Sequence, residues 1–143
     1  MTLVPGDPLA HRALDSLLRA EASVRRRLSA DLEREGLSAS GFSVLVILTV
    51  AGGELELRVL RARLRTSKAN ATEVVTTLEH RGMVVRSRLA HDRRAAAVAM
   101  TPLGQELVDR LFPEHTERVQ RAFAVLDEAE KRSLAEICRK LAA

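Results

Sequence analysis

The sequence predicts a mainly α-helical fold that carries one small β-hairpin. Its 143 residues are enough for one ordinary domain with a buried core. Strong helix formers are abundant, whereas the chain has only 7 Gly and 4 Pro residues and no Trp or Tyr. Apolar residues recur at helical spacing over most of the chain, and the alternation typical of strands is confined to residues 54–57 and 83–100.

The first third of the chain predicts two helices. Residues 9–34 form a long amphipathic helix with one narrow apolar stripe, made of Leu14, Leu17, Leu18, Val24, Leu28 and Leu32. Gly36 is placed to end this helix and Ser38 to cap the next one. The run FSVLVILTVA, residues 42–51, is apolar on nearly all sides. The second helix must therefore lie at the centre of the domain.

A helix-turn-helix is predicted next. The glycine pair at residues 52–53 breaks the second helix, and a brief strand follows at residues 54–57. Residues 58–65 make about two helical turns, and the hydroxyl of Thr66 or Ser67 then caps another helix. The buried stripe of that helix is Ala71, Val74, Val75 and Leu78. Two short helices joined by a tight turn form a helix-turn-helix.

Residues 83–100 predict a β-hairpin with a charged turn. The segment MVVRSRLA, residues 83–90, alternates as a strand does, and AAAVAM, residues 95–100, is its expected partner. One face of the first strand carries Val85, Ser87 and Leu89, and the other carries Arg86 and Arg88. The expected turn, residues 91–94, reads His-Asp-Arg-Arg.

Two further helices complete the chain. Thr101 is placed to cap the first of them and Pro102 to occupy its first position, and the apolar stripe continues to about Val125. Pro113 lies inside this helix and is expected to kink it. Asp127 with Glu130 reads as a capping box that opens the last helix, whose apolar side carries Leu134, Ile137, Cys138 and Leu141.

Basic charge is concentrated in the centre of the chain. The formal net charge is +4, yet residues 58–94 alone hold ten Lys and Arg against three Asp and Glu. That segment therefore has a net charge of +7, and the remainder of the chain is net acidic. A central basic segment is typical of a protein that binds nucleic-acid phosphates.

A helix-turn-helix followed by a hairpin with a basic tip predicts a winged helix that binds double-stranded DNA. The helix after Ser67 would enter the major groove, and an arginine at the hairpin tip would enter the adjacent minor groove. We expect Asp92 to pair with that arginine and fix its guanidinium. The candidate DNA-binding residues are Arg65, Thr66, Ser67, Lys68, Asn70, Glu73, Thr76, Arg86, Asp92, Arg93 and Arg94, to which the family resemblance described next adds Ala71.

The stretch LEHRGMVVRSRLAHDRRAAAVAMTPLGQELV, residues 78–108, resembles the MarR family of bacterial transcriptional regulators. The features in common are a Leu-Glu-x-x-Gly helix end, a D-x-R wing and a Thr-Pro-x-Gly entry to the next helix, and the resemblance extends over about residues 37–141. It implies that Asp92 and Arg94 form the wing pair, with Arg94 in the minor groove. It also places Ser67, Lys68, Asn70 and Ala71 at the front of the recognition helix. Ala90 stands where many members carry proline.

Residues 1–36 and 102–143 are expected to form a helical dimerisation region, and residues 37–101 the DNA-binding lobe of the same continuous domain. The first helix and the last two carry more apolar stripe than a winged helix alone can cover, which predicts a homodimer. The resemblance implies the same interface. Two recognition helices related by a two-fold axis would read a pseudo-palindrome with half-sites about one helical turn apart.

The expected function is sequence-specific transcription regulation by a homodimeric repressor that a small aromatic or phenolic effector releases from its operator. The resemblance implies an effector cleft between the dimer helices and the DNA-binding lobe. Its candidate residues are His11, Arg12, Arg19, Phe42, Val46 and Phe112. No cofactor is expected. The expected partners are double-stranded DNA, a second copy of the chain and the effector.

Three alternatives stay open. A winged helix can act through protein contacts, as a scaffold without specific DNA binding. A redox sensor needs a reactive cysteine, but the single thiol, Cys138, is expected to be buried on the apolar side of the last helix and inert. A metal sensor needs clustered ligands, and among the four histidines only His115 beside Glu114 is a fragment worth testing.

Other classes lack support in the sequence. Phosphate loops and the signatures of serine hydrolases and zinc proteases are missing, so an enzyme is not expected. Apolar runs fall short of the roughly 20 residues that span a bilayer, and the N-terminus lacks the layout of a signal peptide. A single cysteine fits a reducing compartment, so we expect a cytoplasmic protein.

Overall fold

The computed structural model describes residues 6–64, 66–89 and 91–143, apart from the side chain of Arg93. Helices dominate this part of the chain, and the strands form one small sheet. The elements in chain order are α1 (Pro8–Arg34), α2 (Ala39–Val50), β1 (Glu54–Glu56), α3 (Leu57–Leu64), α4 (Lys68–His80), β2 (Val84–Leu89), β3 (Asp92–Met100), α5 (Pro102–Ala122) and α6 (Glu128–Ala142). The predicted mainly α fold with a β-hairpin wing is confirmed.

Local capping sets the helix starts where the sequence placed them. Ser38 Oγ accepts the backbone N–H of Gly41 at the start of α2, at 3.0 Å. Ser67, rather than Thr66, caps α4. Asp127 and Glu130 form the predicted capping box at α6. Each cap satisfies backbone donors that the first turn of a helix leaves without partners.

The described chain forms two compact units. One contains residues 31–115, and its core surrounds α2, as predicted for a helix that is apolar on all sides. Val44, Leu45 and Leu48 of α2 are fully buried there. They pack with Leu60, Val75, Leu78, Val84 and Val98 from α3, α4 and the sheet. This core fixes the helix-turn-helix and the hairpin to one frame.

The other unit contains residues 6–30 and 116–143 and leaves much apolar surface exposed. The predicted stripe on α1 is open to solvent in the single chain at Leu14 (52% exposed) and Leu18 (57% exposed). α6 contains no buried residue, and Ile137 is 63% exposed. The expectation that Cys138 is buried is wrong for the single chain, because the thiol side of α6 has no covering element within this unit.

The strands form an antiparallel sheet in the order β1-β3-β2. The central strand, β3, begins at Asp92, so the prediction of a turn over residues 91–94 is wrong. Arg94 is a strand residue, and the described part of the turn is His91 alone. The register shifts between Arg88 and Leu89, and this irregularity brings Asp92 opposite Leu89. A bulge of this kind lengthens one strand at the tip of the wing.

Two boundaries also differ from the sequence prediction. β1 is one residue shorter, because Leu57 already belongs to α3. α5 ends at Ala122 rather than near Val125 and runs as one helix through Pro113. On β2 the buried residue is Val84, and Val85 is 50% exposed. The side of β2 that carries Val84 and Arg86 therefore faces the domain.

The wing is joined to the start of α5 by close backbone contacts. Thr101 Oγ1 donates to the carbonyl of Gly82 at 2.6 Å and accepts the N–H of Gly104 at 3.2 Å. Gly104 is buried, and a Cβ at this position would lie 2.3 Å from the carbonyl oxygen of Met83. Only glycine therefore allows the first turn of α5 to approach the turn between α4 and β2 so closely.

Candidate nucleic-acid interface

The outer side of α4 is polar and open. Ser67, Lys68, Asn70 and Glu73 are exposed, as expected for residues that would meet DNA. The same holds less fully for Thr66 and Thr76, which are half-buried. Ala71 is 1% exposed, so its side chain packs in the core of the single chain, and a contact with DNA stays a prediction. Its side chain is small enough to pack against the core, which is the alternative that the helical stripe already indicated.

Asn70 is fixed by two neighbours at the start of α4. Its backbone N–H donates to Ser67 Oγ at 3.1 Å, which is the cap of the helix. Its side-chain amide Nδ2 donates to Thr66 Oγ1 at 2.7 Å. The exposed amide is thereby held in one orientation before any partner arrives.

The threonines of α4 use their hydroxyl groups differently. Thr72 Oγ1 donates to the carbonyl of Lys68 at 2.9 Å, and Thr77 Oγ1 donates to the carbonyl of Glu73 at 3.0 Å. Their protons are therefore engaged within the helix. Thr76 Oγ1 instead accepts Arg86 Nη2 at 3.2 Å, which leaves its own proton for another acceptor.

Arg86 connects the wing to α4 through Glu79. Its backbone N–H donates to Glu79 Oε2 at 2.9 Å, and its guanidinium donates to Glu79 Oε1 at 3.1 and 3.3 Å. The backbone N–H of Arg86 is the main reason why the pKa of Glu79 lies below its ordinary value, and the guanidinium lowers it further. Arg86 is a predicted DNA contact, and the structure places its guanidinium against α4.

The tip of the wing carries the predicted pair in a different arrangement. Asp92 Oδ1 accepts the backbone N–H of Arg94 at 2.9 Å, so the described contact fixes the main chain of the tip rather than the guanidinium. Arg94 itself is exposed. A shallow groove of about 330 Å³ is lined by Arg86, Ser87, Arg88, Arg94, Ala95 and Ala96. Arg65 and the side chain of Arg93, also predicted contacts, lie outside the described residues.

Arg81 connects the C-terminal end of α4 to the segment that follows α1. The guanidinium of Arg81 donates to the carbonyls of Glu35 and Gly36, which follow α1. The Glu35 carboxylate receives two hydrogen bonds from Arg110 of α5, at 2.7 and 3.1 Å. These bonds from Arg110 are the main cause of a lowered pKa at Glu35. Glu35 therefore links the exit of α4 to α5.

The roles of Glu79 and Arg81 were not predicted from the sequence. Glu79 lies in the last turn of α4, where the helix dipole disfavours a negative charge. A glutamate at such a position signals a nearby cation, and a basic residue on the next strand is the obvious candidate. For Arg81 the sequence carries no comparable signal, because its partners are main-chain carbonyls more than 40 residues earlier.

The predicted effector residues divide between the two units. His11, Arg12 and Arg19 are exposed on α1, where Arg19 is ion-paired with Asp15 at 2.9 Å. In the other unit Phe42 is 3% exposed, Val46 is half-buried and Phe112 is 44% exposed. The ring centroid of Phe42 lies 4.9 Å from that of His115. The cleft itself stays a prediction.

His115 lies beside Phe42 and has a buried ring nitrogen. Its Nδ1 atom is buried and finds no hydrogen-bond partner among the described residues. Burial lowers the pKa of its imidazole, because the charged form loses water without gaining an acceptor. Among the described residues of the single chain, no group of three or more potential metal ligands includes His115 or Glu114.

Comparison with known proteins identifies the arrangement. The MarR family model matches residues 37–96. The uncharacterized HTH-type transcriptional regulator YkoM of Bacillus subtilis is 31% identical over 122 residues, which cover 85% of this chain and 79% of that protein.

Among the residues described, no helix combines the length and apolar character needed to cross a membrane.

Two solved structures are similar over most of their length. Sco3205, a MarR family transcriptional regulator from Streptomyces coelicolor crystallised with DNA, has a TM-score of 0.86 and 26% identity, covering 99% of this chain and 89% of that one. Bordetella bronchiseptica BpsR, whose DNA binding is regulated by 6-hydroxynicotinic acid, has a TM-score of 0.80 and 25% identity, covering 92% of this chain and 99% of that one. These relatives are regulators rather than enzymes. The chain therefore belongs to the MarR family of transcriptional regulators.

Proposed function

We propose that this regulator is a homodimeric repressor that binds a pseudo-palindromic operator and is released by a small aromatic or phenolic effector. The observation that carries the DNA-binding part is the open polar side of α4 in the same compact unit as Arg94 at the wing tip. A helix fits the major groove, and an exposed arginine suits a narrow minor groove. The DNA complex of the similar Sco3205 supports this reading.

The dimer is supported by the exposed apolar surface of the other unit. Leu9 and Leu14 on α1 and Ile137 and Leu141 on α6 are more than half exposed, and a monomer seldom leaves this much apolar surface in water. A two-fold arrangement would present two copies of α4 to successive turns of one side of the duplex. A site of that length within a promoter would exclude RNA polymerase, which is the physical basis of the proposed repression.

The effector is supported by the regulation of BpsR by 6-hydroxynicotinic acid, a small aromatic acid. In this chain the exposed ring of Phe112 lies near His115, whose buried Nδ1 finds no hydrogen-bond partner among the described residues. Effector binding to a state of the dimer that does not fit the operator would release the DNA.

Fluorescence anisotropy tests the DNA-binding part. The purified protein is titrated into labelled DNA from upstream of its own coding sequence, and into scrambled DNA of the same length, at physiological salt. We expect binding at least about a thousandfold tighter to the upstream DNA. Equal affinities would contradict the proposal and favour a module that acts through protein contacts.

Two further measurements test the dimer and the effector. Analytical ultracentrifugation is expected to give twice the chain mass, and a monomer at micromolar concentration would rule out the two-fold model. In a thermal-shift screen of aromatic and phenolic acids, an effector must raise the melting temperature and also weaken operator binding. A ligand that raises the melting temperature but leaves operator affinity unchanged is not the proposed effector.

A further inference from the structure

We propose that Asn70 reads an adenine in the major groove, so that each half-site of the operator contains an A·T pair at the position facing this side chain. The inference rests on the proposed DNA-binding function and specifies one base that it requires. Asn70 occupies the first turn of α4, where its side chain is exposed. The base-reading side chains of recognition helices come mainly from this end.

The amide of Asn70 is held in place by its neighbours. Nδ2 donates to Thr66 Oγ1 at 2.7 Å, and the backbone N–H donates to Ser67 Oγ at 3.1 Å. Thr66 is half-buried, so the acceptor on which the amide rests lies at the edge of the folded unit. An amide fixed in this way loses little rotational freedom when it meets a base, which strengthens the contact.

The hydrogen-bonding capacity that is left to Asn70 matches adenine. A primary amide has two N–H donors and one carbonyl oxygen, and Thr66 occupies one donor. The proposal assigns to Thr66 the N–H that points away from Oδ1, which leaves the other N–H beside Oδ1 as an adjacent donor and acceptor. In the major groove adenine presents N7 as an acceptor next to the N6 amino group, which is the complementary pair. Guanine presents two acceptors, N7 and O6, so its O6 would oppose the amide oxygen.

The charges around Asn70 indicate that this side of α4 faces bases rather than phosphates. Glu73 follows one turn later and is exposed. A carboxylate is repelled by phosphate but can accept the amino groups that cytosine and adenine present in the major groove. Lys68, at the start of the helix, is the nearby cation suited to a phosphate. The pattern separates a phosphate contact at Lys68 from base contacts at Asn70 and Glu73.

The first experiment determines the preferred sequence with randomised double-stranded DNA, for the wild type and for Asn70→Ala and Lys68→Ala. The wild type is expected to require adenine at one position in each half-site. Asn70→Ala should lose that preference alone, whereas Lys68→Ala should weaken binding to all sequences and keep it. A wild type without any sequence preference overturns both the proposed function and this inference. A wild-type motif that Asn70→Ala retains in full overturns this inference only.

Modified bases test the contact atom by atom. Replacement of the adenine by 7-deazaadenine removes the N7 acceptor, and replacement by purine removes the N6 amino group. We expect each change to weaken wild-type binding by about tenfold and to have little further effect on Asn70→Ala. Equal losses in the two proteins would show that Asn70 does not touch those atoms.

The role of Thr66 as a positioning residue has its own readout. Thr66→Val removes the oxygen that accepts the Asn70 amide, whereas Thr66→Ser keeps it. Thr66→Val is expected to lower the ratio of affinities for adenine and guanine at the proposed position. Thr66→Ser is expected to keep the wild-type ratio of affinities for adenine and guanine. If both variants discriminate as the wild type does, the proposed orientation of the amide is wrong.

Discussion

Arg86 on β2 and Glu79 on α4 are joined by three hydrogen bonds, one from the backbone N–H of Arg86 and two from its guanidinium. Both side chains are about one-third exposed, so solvent screens the pair only in part. The same guanidinium reaches Thr76 Oγ1 at 3.2 Å. This arrangement fixes the wing against the helix that would enter the major groove.

Loss of the Glu79 charge should therefore weaken the fold. We expect Glu79→Gln to lower the free energy of unfolding by about 1 kcal/mol at neutral pH, since the partly exposed pair is worth less than a buried one. Glu54→Gln, at an exposed carboxylate on β1, is the matched control and should change little. Urea unfolding followed by circular dichroism measures both variants. Equal effects would mean that the hydrogen bonds between Glu79 and Arg86 add no stability.

The same variant makes a prediction about pH. Because the pKa of Glu79 is lower in the folded protein than its ordinary value of 4.5, its contribution is fully present above that ordinary value. The contribution is lost as the pH falls through the lowered pKa of the folded state. The stability difference between the wild type and Glu79→Gln should thus shrink between about pH 6 and about pH 3. A constant difference would contradict the assignment.

The fold was predictable from the sequence wherever the causes are local. The caps at Ser38 and Asp127 and the apolar run of α2 each depend on residues within one or two turns, and all three predictions are confirmed. The wing turn was misplaced because the start of β3 depends on pairing with β2, including the shift at Leu89. Residues 91–94 are all polar, so they show no alternation from which the start of β3 could be recognised.

The candidate site was predictable only in part, for a similar reason. The exposed face of α4 follows from helical periodicity, so Lys68, Asn70 and Glu73 could be named in advance. The contact from Arg86 to Glu79 joins two elements, and no helical spacing predicts it. The exposure of Cys138 could not be deduced from the apolar stripe of α6, because a stripe does not reveal which surface covers it.

His115 should make the fold sensitive to mild acid. Burial lowers its pKa below the ordinary value of 6.5, so the unfolded chain binds this proton more readily than the folded one does. The free energy of unfolding should therefore fall as the pH decreases from the pKa of His115 in the unfolded chain to its pKa in the folded protein. Below the folded-state pKa, His115 should cause no further change.

Urea unfolding at about pH 7.5 and about pH 5 measures this effect in the wild type and in His115→Gln. The variant should lose less stability between the two pH values, whatever its absolute stability. His91→Gln, at an exposed histidine in the wing turn, serves as the control and should behave as the wild type does. Identical pH dependence in all three proteins would exclude His115 as the cause.

A side chain at Gly104 should strain the packing at the start of α5. A Cβ there would lie 2.3 Å from Met83 O and 3.0 Å from Met100 Cγ, and the nearer atom belongs to the backbone. We expect Gly104→Ala to destabilise the fold by about 1–3 kcal/mol, even after the gain in helix propensity. Gly6→Ala, with nothing within 4 Å of the new atom, should be nearly neutral in the same thermal unfolding experiment. Equal melting temperatures for the two variants would contradict the close packing of α5.

Leu107 and Leu103 of α5 offer a matched pair for the core. Leu107 is 7% exposed and Leu103 is 52% exposed, one turn away on the same helix. We expect Leu107→Ala to lower the free energy of unfolding by about 2–5 kcal/mol, because it removes buried methyl groups and leaves a cavity. Leu103→Ala should have a clearly smaller effect in the same urea titration. Similar losses at both positions would contradict the burial of Leu107 as the cause of its larger effect, because the two residues share one face of α5 and differ only in how deeply they are covered.

Arg94 should contribute to DNA affinity without contributing to the fold. Its backbone is fixed by Asp92, whereas its side chain is exposed at the wing tip, so truncation should leave the melting temperature unchanged. We expect Arg94→Ala to weaken operator binding by roughly 1–3 kcal/mol in anisotropy titrations. Arg139→Ala removes the same charge from exposed α6 and should bind nearly as the wild type does. If the two variants lose equal affinity, the effect is that of net charge, and Arg94 makes no contact of its own with the minor groove.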